Sequence, residues 1–176
     1  VLYGVAASGG TVVAVGDDGG QNGIIHVSTD GGSNWSTIVP GFFQPVLRTV
    51  IRGGSLWVAM GDAGTVFTST NGLAWTQRLL GLNAEPLDFR SVAHNGSLFV
   101  AVGGGDYGSF NYYTSPNGTT WTKRSSPIVV PGRSNHSMTY DANRKLVLTF
   151  GGLQNDLQDA SNQLWGWNGT TWARLY

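Results

Sequence analysis

The sequence predicts an all-β fold, a β-propeller of four four-stranded antiparallel blades. Three observations predict it. An apolar run ending in glycine recurs as VVAVG (12–16), WVAMG (57–61), FVAVG (99–103) and VLTFG (147–151), at intervals of 45, 42 and 48 residues. A polar turn ending in tryptophan recurs at Trp35, Trp75, Trp121 and Trp172, at intervals of 40, 46 and 51. Both markers give a period near 44, and the chain of 176 residues holds four such units. Self-similar units of this length, each able to supply four short strands, are the sequence mark of propeller blades. Composition agrees: glycine takes 27 positions and charged residues only 11%, a balance that suits short strands and tight turns rather than helices.

Unit 2 displays the four strands, A to D, best: LRTVIR (47–52), SLWVAM (55–60), GTVFTST (64–70) and AWTQRLL (74–80). The A–B links read as two-residue hairpin turns at Gly53-Gly54 and Asn95-Gly96, pairs that supply positive φ. Asp141 to Arg144 is a longer version. The B strands are apolar at nearly every position, so both faces are expected to be buried between neighbouring blades. The blades fall at about 1–40, 41–81, 82–126 and 127–176, in one domain spanning 1–176. No strand is left over to latch the ring, and no cysteine can staple it. Either unit 1 packs on unit 4, or two chains build one eight-bladed ring, or the chain is part of a longer propeller.

The recurring turn lies between strands C and D. Unit 1 writes it with Ser28, Asp30, Gly32 and Trp35; unit 2 with Ser69, Asn71, Gly72 and Trp75; unit 3 with Ser115, Asn117, Gly118 and Trp121; unit 4 with Asn168, Gly169 and Trp172. An Asp or Asn side chain accepts hydrogen bonds from the turn's own N–H groups, glycine permits the bend, and the indole covers it. The role expected of these residues is structural. The motif resembles the Asp-box, or BNR, repeat of sialidases and of many non-catalytic propellers. Unit 1 matches it fully; units 2 and 3 carry Asn for Asp and one residue fewer before Trp. Unit 4 resembles a kelch repeat, through Arg133 to His136, LVLTFGG (146–152) and LWGWNGTTW (164–172). In repeat style the chain is also similar to the photosystem II assembly factor family, whose Asp-box propeller is non-catalytic. That family carries a basic patch; this chain is neutral, and its role is not carried over.

Formal net charge is zero, which argues against nucleic-acid binding. The apolar runs are strand-sized, so no membrane insertion is expected. Val1 opens the chain without a charged-then-apolar leader, so no signal peptide is expected within it. The lack of cysteine removes disulfides, thiolate zinc sites and thiol catalysis. His26, His94 and His136 have no metal-ligand spacing, and Asp156 and Asp159 read as a solvated loop, so neither a metal nor another cofactor is expected. Sialidase-like glycoside hydrolysis, the enzyme alternative that the resemblance raises, needs a tyrosine nucleophile paired with glutamate, and the one glutamate, Glu85, lies in a connection.

The candidate binding surface is a column. Tyr3, Arg48, Arg90 and His136 begin the four A strands, the innermost strands, and so ring the channel mouth. The longest connections open on the same face and carry Phe42, Phe43 and Tyr107. Long loops on a rigid scaffold are where binding usually resides. The competing reading pairs the arginines internally, with acids such as Asp88. The expectation is a non-enzymatic binding or assembly module for a glycan or protein partner, at an extracellular, cell or virion surface. The alternative is a structural subunit of a larger extracellular or virion assembly, and homo-oligomers are possible within either reading.

Overall fold

A computed structural model describes residues 1–20, 22–40, 45–78, 87–104, 110–154 and 159–176, with the backbone alone at Asp159. Phe42, Phe43, Glu85, Tyr107 and Asp156 lie outside the described residues. Each unit folds as a four-stranded antiparallel meander. Blade 1 is β1 (Leu2–Ser8), β2 (Thr11–Asp17), β3 (Gly23–Ser28) and β4 (Ser36–Ile38). Blade 2 is β5 (Leu47–Gly53), β6 (Leu56–Gly61), β7 (Val66–Ser69) and β8 (Thr76–Arg78). Blade 3 is β9 (Asp88–His94), β10 (Phe99–Gly104), β11 (Asn111–Ser115) and β12 (Thr122–Arg124). Blade 4 is β13 (Ser137–Asp141) and β14 (Leu146–Phe150), then a small hairpin of β15 (Leu153–Gln154) and β16 (Asp159–Ala160), then β17 (Leu164–Trp167) and β18 (Trp172–Arg174). The innermost strands lie side by side, β1 against β5, β5 against β9 and β9 against β13.

The second strand of every blade is the apolar run of its repeat. Val13, Val58 and Val100 are fully buried on one face; Trp57 and Phe99 are buried on the other. Alternate residues of a strand point to opposite faces, so each blade contributes to two cores. Three apolar clusters result, between blades 1 and 2, 2 and 3, and 3 and 4. No such cluster joins blade 4 to blade 1 among the described residues, and Val5 on β1 is 68% exposed. Among the described residues the blades therefore pack in a row, 1 on 2, 2 on 3 and 3 on 4.

Two hairpins differ from the sequence expectation. Gly53 pairs with Leu56, so the bend is Gly54-Ser55. Gly53 has another duty: a Cβ there would run into the rings of Phe99 and His94 of the next blade. In blade 3, His94 pairs with Phe99, which makes the connection a four-residue loop, Asn95 to Leu98. The Asn95 side chain organises that loop by accepting from the N–H groups of Ser97 (3.1 Å) and Leu98 (2.7 Å).

The tryptophan turns follow one plan in blades 1 to 3. Asp30 Oδ1 accepts from the backbone of Ser33 (3.0 Å) and Asn34 (2.9 Å), and Ser28 Oγ accepts from Gly32 N–H (2.8 Å). Asn71 and Ser69, and Asn117 and Ser115, repeat this one residue tighter. Each indole N–H then donates to the turn glycine's carbonyl, Trp35 to Gly32 (2.9 Å), Trp75 to Gly72 (2.7 Å) and Trp121 to Gly118 (3.1 Å). Blade 4 departs from the plan. Asn168 still accepts from Thr170 and Thr171, but Trp172 turns fully inward against Phe110, Tyr112 and Trp167. Its indole nitrogen has no partner among the described residues, so packing replaces the hydrogen bond.

Candidate functional site

Three of the four column residues share a backbone device. Leu2 pairs with Gly16 and Gly4 with Val15, which leaves Tyr3 as the extra residue of a β-bulge. Leu47–Gly61 and Thr49–Met60 leave Arg48 in the same way, and Phe89–Gly103 and Ser91–Val102 leave Arg90. A bulge bends its strand and re-aims the unpaired side chain. Opposite each bulge stands the glycine that ends the apolar run. A Cβ on Gly16, Gly61 or Gly103 would run into the carbonyl of Val1, Val46 or Asp88. The recurring glycine is thus a close-approach residue that lets the bulge form.

The three bulges direct their side chains into one line of contacts across blades 1 to 3. Tyr3 Oη donates to Asp17 Oδ2 (2.8 Å), and the Arg48 guanidinium stacks 4.6 Å from the Tyr3 ring centre. Arg48 holds Asp62 with Nε (3.0 Å to Oδ1) and Nη2 (2.6 Å to Oδ2). Arg90 reaches the same Asp62 with Nη1 (3.4 Å) and Asp88 with Nη2 (2.9 Å). Asp62 sits in a short 3₁₀ turn, Asp62–Gly64, held to blade 3 by the Ala63 N–H donating to Asp88 Oδ1 (3.1 Å).

The electrostatics follow from these contacts. Hydrogen bonds from Tyr3 and the Gly19 N–H keep the Asp17 carboxyl below the usual carboxylate range, and the Asp17 contact pushes the Tyr3 phenol up. The Asp62 contact pushes the Arg48 guanidinium up, so it stays charged at any ordinary pH. The Arg48 and Arg90 side chains remain 25% and 30% exposed. A row of fixed, partly exposed guanidiniums can receive carboxylate or carbonyl oxygens.

His136 does not join the line. It precedes β13, where no bulge forms, and it is 8% exposed with its ring 6.3 Å from that of Phe110. Neither ring nitrogen has a partner among the described residues. Burial and the positive charges of Arg133 and Arg90 push its imidazole down to about 4. Phe42, Phe43 and Tyr107 fall outside the described residues, so the line consists of Tyr3, Arg48 and Arg90 with Asp17, Asp62 and Asp88. Read from sequence alone, Asp17 and Asp62 stand among glycines, where turn chemistry accounts for them. The signal that finds them is Gly-Asp directly after the apolar run, in Gly16-Asp17 and Gly61-Asp62. Among the described residues, no three His, Asp or Glu side chains cluster to hold a metal, and no helix is long and apolar enough to cross a membrane.

Comparison with known proteins fits this architecture. The chain is 28% identical over 154 residues to the photosystem II assembly lipoprotein Ycf48 of Synechococcus sp. (strain CC9902), covering 85% of this chain and 44% of that relative. It therefore spans less than half the length of that relative. Among solved structures, one titled "YCF48 bound to D1 peptide" matches with a TM-score of 0.57 at 18% identity, over 98% of this chain and 66% of that one. The GH74 xyloglucanase of Xanthomonas campestris matches with a TM-score of 0.59 at 13% identity, over 96% and 28%. A chain of a nidogen/laminin complex matches with a TM-score of 0.65 at 12% identity, over 96% and 60%. Identities this low show a shared fold alone. The relative is an assembly lipoprotein of a photosystem, and this corrects the expectation of an extracellular, cell-surface or virion-surface location. Residues 4–176 match the DUF6242 β-propeller domain, and the chain belongs to that family.

Proposed function

We propose that this chain is a non-enzymatic, protein-binding assembly module whose contact surface is the line Tyr3, Arg48 and Arg90. The observation that carries the reading is the threefold bulge. The same backbone irregularity, made possible each time by a glycine, sends an aromatic and two cationic side chains to one open edge. Bulges are over-represented next to functional sites, where they re-aim a side chain. A protein partner is favoured by the relative's naming as an assembly lipoprotein and by the similar structure's naming as a peptide complex. The partner segment would offer a carboxylate, or carbonyls, to the partly exposed guanidiniums and a flat group to Tyr3. We read the turns of blades 1 to 3 as Asp-box turns with a purely structural role, supported by the closed hydrogen-bond sets of Asp30, Asn71 and Asn117.

Against hydrolysis stand the states of the acids. Asp17, Asp18 and Asp30 are all held below the ordinary carboxylate range by hydrogen bonds, the reverse of what a general acid needs. Asp62 and Asp88 are committed to arginines.

The test is an Arg48→Ala/Arg90→Ala double variant against a panel of immobilised peptides with free or amidated C-termini and with acidic or neutral sequences. Wild type should retain carboxylate-bearing peptides, and more weakly as salt is added. The double variant should lose that signal while its unfolding midpoint stays within a few degrees of wild type. Retention that survives both substitutions, or that ignores salt, would overturn the proposal.

A further inference from the structure

The interface between blades 3 and 4 departs from the other two at one point, and a cleft opens there. In blades 2 and 3 the glycine of the tryptophan turn is pressed onto the preceding blade. A Cβ on Gly72 would meet Thr11 and Val13 of blade 1, and one on Gly118 would meet Leu56 and Val58 of blade 2. Both glycines are buried. Leu98 and Val100 stand at the matching positions of blade 3, but Gly169 is exposed and a Cβ on it would meet nothing within 4 Å. Residue types account for the gap. Ser69 and Ser115 accept from the N–H groups of Gly72 and Gly118 (2.8 Å each) and fix those turns; Gly166 stands at that position in blade 4 and has no hydroxyl. Trp172 is drawn into the core instead of capping its turn. The turn of blade 4 therefore stands off blade 3.

The space left is a cleft of about 370 Å³ between the outer strands. Small-molecule sites span about 300–1,000 Å³. Leu98, Tyr112 and Trp167 give it an apolar wall, with the two rings 6.2 Å apart at 64°. Both rings are buried, and the Tyr112 hydroxyl donates to the Ser125 carbonyl (2.8 Å), so the wall is rigid. Lys123 and Arg124, both exposed, add two cations. Arg124 Nε donates to the buried Thr114 Oγ1 (2.7 Å), which anchors the guanidinium at the cleft. Arg78 makes the same bond to Thr68 in blade 2 (2.8 Å), so the anchored arginine belongs to the repeat; the space beside it is what blade 4 adds. The described residues that line the cleft include no acid.

We infer that this cleft binds a small organic carboxylate with a flat apolar body. The body covers Leu98, Tyr112 and Trp167, and the carboxylate meets Lys123 and Arg124. A bare inorganic anion would use the cations and leave the apolar wall wet. A neutral ring would cover the wall and leave the cations unanswered. The planar head with two oxygens matches the guanidinium. The cleft lies on other strands than Tyr3, Arg48 and Arg90, and the inference does not rest on the reading of that line.

The experiment is a titration of the labelled chain, followed by nitrogen–proton correlation spectra with the tryptophan indole resonances assigned. The ligands are benzoate, phenylacetate and indole-3-acetate, with phenylacetamide, acetate and inorganic phosphate as comparators. The Trp167 ring lines the cleft and is the reporter. At least one aromatic carboxylate should shift its indole N–H resonance to saturation. The three comparators should bind at least about tenfold more weakly. A Lys123→Ala/Arg124→Ala variant should weaken the carboxylate by about tenfold or more. Its unfolding midpoint should stay near wild type, because both side chains are exposed. No saturable shift with any of the three carboxylates, comparators that bind equally well, undiminished binding by the double variant, or shifts confined to residues outside the cleft would each overturn the inference.

Discussion

Trp121 closes the turn of blade 3 and also seals the interface with blade 2, so two truncations of it separate the two jobs. Its ring is 6% exposed, lies 6.3 Å from the rings of both Phe89 and Phe99, and donates its N–H to the Gly118 carbonyl at 3.1 Å. Trp121→Phe keeps most of the ring volume and removes the hydrogen bond. A hydrogen bond of this kind contributes about 0.5–1.5 kcal/mol net, and the missing part of the indole adds a small cavity, so roughly 1–2 kcal/mol should be lost. Trp121→Ala removes the whole ring from a close-packed cluster and should cost about 3–5 kcal/mol. Urea unfolding followed by fluorescence of the remaining tryptophans measures both, and an unchanged m-value confirms that the same transition is being compared. Peptide retention measured well below the unfolding midpoint should stay at wild-type level for both variants. Equal costs for Phe and Ala, or lost binding at an unchanged midpoint, would refute the structural assignment of this tryptophan.

Other outcomes follow from the same contacts. Gly61→Ala should cost about 1–3 kcal/mol, because the new methyl meets the Val46 carbonyl and forces the bulge open; it should also weaken peptide retention by displacing Arg48. A wild-type midpoint with full retention would show that the bulge does not need this glycine. Stability should fall with pH in a window set by His136, whose imidazole is pushed down to about 4 in the folded chain against about 6.5 when unfolded. The unfolded chain takes up that proton first, so stability is full above about 6.5, declines towards 4 and then levels for this group, a loss of roughly 3 kcal/mol. His136→Phe should flatten that decline in unfolding measured from pH 7 to 4, and an undiminished slope would clear His136 of responsibility. Fluorogenic sialosides and common glycosides should show no turnover; turnover abolished by changing a single Asp or Glu would contradict the non-enzymatic reading.

The sequence by itself determined the blades. A strand announces itself in five to seven residues, and a turn such as Ser28 to Trp35 closes with its own side chains, so both can be read locally and then recognised by their return every forty-odd residues. The burial of both faces of the second strand was equally legible, because Val13, Val58 and Val100 alternate with residues that are themselves apolar. Tertiary structure decided the rest. Whether Arg48 points along its strand or out to Asp62 depends on a one-residue slip against β6, and the pairing of two strands leaves no mark in either alone. Gly61 showed as a punctuation mark in the sequence; only the approach of the Val46 carbonyl reveals why nothing larger fits. His136 occupies the aligned position of the column, yet blade 4 forms no bulge there and the imidazole is drawn under Phe110, out of the line. The blade–blade packing was the least legible of all: Val50 and Val92 match in chemistry the residues around them, and only the neighbouring blade shows that they are buried.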